Sequence, residues 1–345
     1  MSSPSGDPIR DVSRAAQAAA SGFDIADPAL AESVSAGMDR VEALLHDSVR
    51  SDFDFATRTS LHLVDAGGKR FRPLFTLLAA HFADPAPDAV ITSATVIEMV
   101  HLSTLYHDDV MDEATMRRGA TSANVRWDNS VAILTGDFLM AHASRLVADL
   151  GPDAVRQIAI TFEALVTGQM RETVGAREDD DPVQHYLQVI YEKTGSLIAT
   201  AGRFGGNASG APPAHVAALE EFGKLIGIAF QISDDVIDIA SPATDSGKTP
   251  GTDLREGVRT LPMLYALSAA DTDPRLRELL AEPLTADADV AEALKLLRES
   301  SGLESARETL DDYAEQAQRV LSALPDCPAR EALTALVHYV VARTR

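Results

Sequence analysis

The spacing of apolar residues limits this chain to few folds. In long segments rich in alanine, leucine, glutamate and arginine, apolar side chains recur every three or four residues, which places them on one face of an α-helix. No segment combines sustained two-residue alternation with the turn signals of a hairpin. An all-α fold is therefore predicted. The main predicted helical segments are residues 41–49, 73–82, 89–112, 130–150, 152–173, 182–204, 213–239 and 303–324.

The breaks between these segments are short clusters of proline, glycine and aspartate, which are typical of loops. None is long or biased enough to divide the chain into two domains. Residues 1–25 are rich in serine, proline, glycine and alanine, and we expect a flexible N-terminal tail there. Residues 26–345 are predicted to form one domain of roughly ten or more helices, which suits a bundle around a central cavity.

Composition excludes some classes of protein. The formal net charge is −22 over 345 residues, which opposes binding to nucleic-acid backbones. The single cysteine, Cys327, cannot form an intramolecular disulfide, and this fits a cytosolic compartment. The first residues lack the pattern of a signal peptide, and no run of about 18 uninterrupted apolar residues is present. A cytoplasmic protein with at most peripheral membrane contact is expected.

Two identical acidic motifs interrupt apolar helical segments. Residues 108–112 and 234–238 both read DDxxD, within EMVHLSTLYHDDVMD and IGIAFQISDDVIDIA. The first and last aspartates of each motif are four residues apart, so they share a helix face. Burying several carboxylates is costly unless something neutralises them, and clustered hard oxygen ligands suit Mg²⁺. A single such motif could be a solvated helix end or an N-cap, but two copies in apolar helices favour a metal site.

Basic segments lie close to the acidic motifs along the chain. The stretch GGKRFRP at residues 67–73 offers three cations in four positions beside a glycine pair, a combination that suits phosphate binding. Further cations are Arg117 and Arg118, Lys193 and Lys248. Each one alone is more typical of a solvated surface, and together they indicate a diphosphate ligand. His101 lies two turns before Asp108 on the same face, where a ligand role and a packed core role are equally expected.

Four ordered blocks, GGKRFRP, HDDVMDEATMRRG, EKTGSL and FQISDDVIDIASPATDSGK, resemble the signature blocks of the trans-polyprenyl diphosphate synthases. The resemblance extends from about residue 41 to the C-terminus. It implies an all-helical fold around a deep cavity, the isoprenoid synthase fold, and usually a homodimer. It also implies condensation of an allylic diphosphate with isopentenyl diphosphate, with about three Mg²⁺ ions holding the allylic diphosphate.

The resemblance also implies roles for individual residues. Metal ligands would be Asp108, Asp112 and Asp234, supported by Asp109, Asp235 and Asp238. The allylic diphosphate would be bound by Arg117, Lys193, Thr194, Gln231 and Lys248, of which Lys193 and Lys248 join the three metal ligands as catalytic residues. Isopentenyl diphosphate would be bound by Gly68, Lys69, Arg72, His101 and Arg118. A second family lysine is absent after the aspartate-rich loop, where Arg259 is the nearest cation and its role is open.

The helix before Asp108 carries a prediction of product length. Ser103 and Thr104 stand where relatives with short products carry bulky aromatic residues, and Val100 and Ile97 follow below. Because side-chain volume sets the free space in a packed interior, small residues predict a long product of about seven to nine isoprene units (about C35–C45), as used for the side chains of quinones such as menaquinone. The alternative is that Ser103 and Thr104 fit a tight helix contact, which would allow a short C15–C20 product.

Two further classes of protein stay open at this point. A terpene cyclase shares the fold and one DDxxD motif, but it has little use for GGKRFRP. A non-catalytic subunit of a hetero-oligomeric synthase is the other, although such subunits generally lose motif residues and all six aspartates are present here.

Overall fold

We analysed the fold in a computed structural model, which describes residues 25–240 and 250–344. The predicted N-terminal tail, apart from residue 25, and Lys248 lie outside the described residues. The helices are α1 Pro28–Ser48, α2 Asp54–Asp65, α3 Phe71–Ala80, α4 Asp88–Met111, α5 Ala123–Arg126, α6 Asn129–Ala148, α7 Pro152–Val174, α8 Pro182–Ile190, α9 Ser196–Ala208, α10 Pro213–Ala240, α11 Thr252–Glu256, α12 Leu261–Ser268, α13 Pro274–Leu279, α14 Asp287–Glu299, α15 Ser301–Leu321 and α16 Pro328–Ala342.

The all-α prediction is confirmed. Within the described ranges, strands are confined to β1 (Met116–Arg117) and β2 (Ala120–Thr121), a two-residue antiparallel pair directly after α4. The start of the first helix differs from its prediction. Helix α1 begins at Pro28, well before residue 41, because the Asp27 side chain accepts a hydrogen bond from the Leu30 N–H at 2.8 Å and proline occupies the first helical position.

The chain groups into two compact units. The first contains residues up to Glu163, Leu197–Glu220 and Ala323–Ala335. Its centre is α4, which packs along α6 and also contacts α1 and α3. Side chains on every side of α4 are fully buried, among them Val96, Ile97 and Met99, as expected of a helix that is apolar all round. The helix that carries the first acidic motif is therefore the core of this unit.

The second unit contains Ala164–Ser196, Glu221–Ser322 and the chain from Leu336 onward. Helix α12 packs on α15 and also contacts α8. A glycine allows the α12–α15 approach, since a Cβ atom at Gly302 would lie 2.4 Å from the carbonyl oxygen of Pro262. Helix α8 continues into α9 through a π-helical turn, Tyr191–Gly195, which carries the EKTG sequence.

Helices α4 and α6 are long and apolar enough to cross a membrane by length and composition alone. The apolar window of α4 is 72% buried inside the protein and that of α6 is 39% buried. Because the two helices pack against each other within one unit, their apolarity is that of core helices, and it is weak evidence for a membrane span.

Candidate active site

The first acidic motif closes α4 and has two kinds of aspartate. Asp108 is half-buried, Asp112 is exposed, and both lie on the face predicted from their spacing. Asp109 is fully buried. Its Oδ1 atom accepts a hydrogen bond from Arg117 Nε at 2.6 Å, and its backbone oxygen accepts one from Asn124 at 2.9 Å. Asp109 therefore orients Arg117, whose Nη2 atom also lies 3.9 Å from Asp112 Oδ2.

A buried ion-pair network organises the basic segment of the same unit. Glu98, on α4, is 1% exposed. Its Oε1 atom lies 2.8 Å from Arg70 Nη1 and 3.5 Å from Arg118 Nη2. Arg70 also donates from Nε to Glu42 at 2.5 Å and from Nη2 to the backbone oxygen of Val64 at 2.8 Å. Arg70 thus has its donors committed to the protein, and it serves as the anchor of the GGKRFRP loop.

The backbone of this loop is strained where it meets Arg118. Arg70 and Arg118 both have positive φ angles, 45° and 53°, which are costly for residues with a Cβ atom and cluster at functional sites. Gly68 has φ of +123°, and a Cβ atom there would lie 2.8 Å from Arg118 Cζ. Glycine at position 68 therefore lets the Arg118 guanidinium lie directly against the loop.

The cation cluster of this unit, which we define as Arg72, His101 and Arg118, has few counter-charges. Burial lowers the pKa of Arg72 to about 10, with repulsion from Arg118 adding to the shift. Burial also lowers the pKa of Arg118, although Glu98 opposes the shift. Burial, with Arg72 and Arg118 nearby, holds the pKa of His101 well below its usual value. Arg72 Nε is buried and has no hydrogen-bond partner within the described chain, so the cluster suits a polyanion.

The second acidic motif lies at the C-terminal end of α10, and its first two aspartates are paired with other side chains of the protein. Asp234 is half-buried and its Oδ1 atom lies 2.6 Å from Arg343 Nη2. Asp235 is buried, accepts a short hydrogen bond from the hydroxyl of Tyr186 and lies 3.3 Å from Gln231 Nε2. Burial raises the pKa of Asp235 to about 8. The carboxylates of Asp253 and Asp234 add to this shift, and the hydrogen bonds from Tyr186 and Gln231 oppose it.

Asp238 stabilises the chain that returns after α10. Its carboxylate accepts hydrogen bonds from the backbone N–H groups of Thr252 at 3.3 Å and Asp253 at 3.4 Å, at the start of α11. Its backbone oxygen accepts from Gly251 at 3.2 Å. Asp238 therefore holds the start of α11 against the end of α10. Arg259, farther along, is exposed.

The EKTG sequence lies in the π-helical turn between α8 and α9, a geometry that is frequent at functional sites. Lys193 forms a short ion pair with Glu172, and Thr194 Oγ1 lies 3.5 Å from Gln231 Oε1. A Cβ atom at Gly168 would lie 2.9 Å from the backbone nitrogen of Lys193. Thr194 and Gln231, predicted from two separate segments, are thus brought together within the second unit, with Lys193 next to Thr194 in the turn.

The chain-length residues on α4 do not share one environment. Ile97, Val100 and Ser103 are fully buried, and Thr104 is half-buried. The Ser103 hydroxyl donates to the backbone oxygen of Gly136 on α6 at 2.9 Å, so it makes a helix–helix contact. The Thr104 hydroxyl donates within its own helix to His101 at 2.9 Å.

Each acidic motif fits magnesium through its donor chemistry. Asp108, Asp112 and Asp234 offer carboxylate oxygens, which are the ligands that Mg²⁺ prefers. In the part of the chain that the structure describes, no group of three or more histidine, cysteine, aspartate or glutamate side chains forms a closed metal site. Mg²⁺ is usually held by one or two carboxylates together with substrate phosphates.

Several residues of the site were not predicted. Glu98 had a signal, since it is a charged residue inside the apolar run that leads to Asp108. Glu172, Tyr186 and Arg343 had none, because their partners are distant in sequence and no local period points to them.

An all-α fold with two aspartate motifs and separate sets of cations defines the class of isoprenoid synthases, and solved structures of that class are the neighbours of this chain. The chain belongs to the polyprenyl synthetase family, whose sequence profile matches residues 54–297, and it is a prenyltransferase.

Three similar proteins illustrate the range of the family. A nonaprenyl diphosphate synthase of Mycobacterium tuberculosis is 57% identical over 93% of this chain and 97% of the relative. A dimethylallyltranstransferase of the same organism is 44% identical over 92% of this chain and 97% of the relative. The crystal structure of a geranylgeranyl pyrophosphate synthase from Corynebacterium glutamicum, complexed with calcium and isoprenyl diphosphate, is 50% identical, with a TM-score of 0.83 over 92% of this chain and 98% of that chain.

Proposed function

We propose that this chain elongates an allylic diphosphate with isopentenyl diphosphate to an all-trans polyprenyl diphosphate of about C35–C45, a length consistent with the small side chains of Ser103 and Thr104. The cation cluster is the observation that carries the two-substrate reaction. Arg72, His101 and Arg118 form a basic site supported by Glu98, in addition to the aspartates that would hold metal. A prenyltransferase that condenses two diphosphates needs such a second site.

At the allylic diphosphate, Asp108, Asp112 and Asp234 would hold about three Mg²⁺ ions, whose bound charge stabilises the negative charge that develops on the leaving diphosphate. Arg117, oriented by Asp109, donates to the same diphosphate. The family resemblance assigns Lys193, Thr194, Gln231 and Lys248 to the same diphosphate as further donors. Donors that are already oriented stabilise the departing group without reorganisation.

At the second substrate, Arg72, Arg118, Lys69 and the backbone at Gly68 bind the diphosphate of isopentenyl diphosphate, and His101 contributes as a neutral imidazole. Once the allylic C–O bond breaks, the double bond of isopentenyl diphosphate attacks the allylic cation and forms the new C–C bond. The proton then lost from the adjacent carbon passes to the released diphosphate. No nucleophilic side chain is required, and the protein's part is binding, orientation and charge.

A short C15–C20 product is the second candidate. Two observations favour it: the solved relative from Corynebacterium glutamicum is a geranylgeranyl pyrophosphate synthase at 50% identity, and Ser103 is committed to a contact with Gly136. Against it, the 57% identical relative is a nonaprenyl diphosphate synthase. Thr104, whose hydroxyl is bonded within its own helix, is the better candidate for the residue that limits growth, together with Val100 and Ile97.

Product sizing decides between the two lengths. The protein is incubated with Mg²⁺, farnesyl diphosphate and excess isopentenyl diphosphate, and the dephosphorylated products are separated by chain length. We expect products longer than C20, and an Asp108→Asn variant should form far less of them. Products that stop at or below C20 contradict the long-chain proposal and leave the short-chain one. A cyclic hydrocarbon formed without consumption of isopentenyl diphosphate would indicate a terpene cyclase.

We also propose that the protein is a cytoplasmic homodimer with at most peripheral membrane contact, supplying side chains for quinones such as menaquinone. One stripe of α6 is exposed and largely apolar or small, and it includes Ile133 (43% exposed), Leu134 (65%) and Ala141. A helix face of this composition suits packing against a second copy. Retention of all six motif aspartates argues against a non-catalytic subunit.

A further inference from the structure

The chain after α16 returns to the second acidic motif. The Ser233 hydroxyl, one residue before Asp234, donates to the backbone oxygen of Val340 at 3.1 Å. The backbone N–H of Arg343 donates to Tyr339 at 3.2 Å. The first bond ties the end of α16 to α10, and the second extends the helical turn to Arg343, so the position of Arg343 beside the motif follows from the packing of the second unit.

The guanidinium of Arg343 is held on three sides. Its Nη2 atom lies 2.6 Å from Asp234 Oδ1. Its Cζ atom lies 4.7 Å from the ring centroid of Phe230 and 5.7 Å from that of Tyr339, distances typical of cation–π contacts. The Arg343 side chain is 17% exposed and that of Asp234 is 33% exposed, so solvent screens this ion pair less than it would a surface pair.

Arg343 also keeps an unused donor. Its Nη1 atom is buried and has no hydrogen-bond partner within the residues described. A guanidinium that uses one terminal nitrogen for a carboxylate and leaves the other unpaired is not in its most stable arrangement. A further acceptor, such as an oxygen of a bound ligand, would complete the hydrogen bonding of this guanidinium.

We propose that Arg343 controls metal loading at the second acidic motif. This inference rests on the proposed function, since it takes Asp234 to be a metal ligand. A cation 2.6 Å from Asp234 satisfies that carboxylate in the protein alone, and two cations at one carboxylate repel each other. Metal binding must therefore displace the guanidinium or accept its repulsion. The released guanidinium, with Nη1 already unpaired, can then donate to an acidic ligand such as a diphosphate.

Metal affinity without substrate tests the proposal directly. Mn²⁺ is titrated into the full-length protein and the free ion is followed by electron paramagnetic resonance. We expect Arg343→Met to bind Mn²⁺ about three- to tenfold more tightly than the wild type, a change that corresponds to about 0.7–1.4 kcal/mol. Arg343→Lys keeps the charge without the planar fork, and it should bind Mn²⁺ less tightly than Arg343→Met.

Two controls make the result specific. Arg330→Met removes an arginine on α16, the helix that leads to Arg343; its guanidinium pairs with Asp326 at 2.6 Å, and the variant should leave Mn²⁺ affinity unchanged. Asp234→Asn should weaken Mn²⁺ binding in the wild-type background and abolish the gain from Arg343→Met. If Arg343→Met does not fold well enough to titrate, Arg343→Lys is compared with the wild type instead. The increase in melting temperature on adding Mn²⁺ then measures the same competition.

The outcomes separate this inference from the proposed function. Unchanged or weaker Mn²⁺ binding by Arg343→Met, with Asp234→Asn impaired, overturns the role of Arg343 and leaves Asp234 a metal ligand. Unchanged binding by Asp234→Asn overturns both the ligand role and the control by Arg343. The reaction class itself is judged by product sizing, which does not depend on either titration.

Discussion

At the scale of single residues, Glu98 supports the basic half of the site. It is a carboxylate with 1% exposure that lies within 2.8 Å of Arg70 and 3.5 Å of Arg118. Without its charge, the guanidinium groups would face one another in a desolvated pocket. Glu98 thus allows cations to be concentrated where a second diphosphate is proposed to bind, although it need not touch any substrate.

Replacing Glu98 by Gln should destabilise the protein by about 3 kcal/mol, because breaking a buried ion pair leaves uncompensated charge. Glu42→Gln is the matched control, since Glu42 also pairs with Arg70 but its side chain is 36% exposed, and it should cost about 1 kcal/mol or less. Urea unfolding of both variants measures the difference. Equal losses would contradict the supporting role of Glu98.

His101 gives the stability a dependence on pH. Its pKa in the folded protein is well below the usual value, so below about pH 6.5 the unfolded chain takes up a proton that the folded protein does not. Stability should therefore fall as the pH drops below about 6.5, by up to about 1.4 kcal/mol per pH unit from this residue. His101→Asn should reduce that slope between pH 7 and pH 5.5 in urea unfolding. A His338→Asn control on the exposed side of α16 should not.

At the scale of helices and turns, the π-helical turn Tyr191–Gly195 sets the place of Lys193 and Thr194. The turn packs against α7 at Gly168, where a Cβ atom would lie 2.7 Å from Glu192 Cβ and 2.9 Å from the Lys193 backbone nitrogen. Since the second of these contacts is to backbone, it cannot be relieved by rotating a side chain. Gly168 therefore determines how closely the turn Tyr191–Gly195 approaches α7.

Gly168→Ala should move the turn by several tenths of an ångström or more and lower kcat by about ten- to a hundredfold, because a displacement of about 1 Å can cost about a hundredfold. Overpacking should also destabilise the fold by about 1–3 kcal/mol. Met170→Ala, on the same helix at a side chain that is 62% exposed, should change neither kcat nor stability appreciably. Steady-state kinetics and thermal unfolding test both statements. A Gly168→Ala enzyme with wild-type kcat would show that the turn does not position Lys193.

At the scale of the whole molecule, the net charge is −22, and the cations of the proposed site are concentrated in a few places. The cations that matter are gathered at Arg72, Arg118 and Arg117 in the first unit and at Lys193 and Arg343 in the second. Most of the remaining acidic surface favours solubility and needs no partner. Exposed large apolar side chains on α6 and α7, such as Leu134 (65% exposed) and Val174 (83%), depart from this acidic surface.

Leu134→Glu should convert the proposed homodimer into monomers, because a charge placed in an apolar interface is left desolvated and unpaired. Sedimentation equilibrium at several protein concentrations measures the mass. Val174→Glu is the control, since Val174 is more exposed at 83% and lies on α7, away from the α6 stripe. A Leu134→Glu variant with the same mass as the wild type would exclude this stripe as the interface.

The sequence by itself determined the helical class, the two acidic motifs, the basic blocks and the family, because these depend on local period and on short ordered motifs. It placed Asp108 and Asp112 on one face, and the structure agrees. Only the tertiary structure decided that Ser103 bonds to α6, that Arg70 is an anchor, and that Arg343 returns to Asp234 across 109 residues. These depend on contacts between helices distant in sequence, which helical periodicity does not encode.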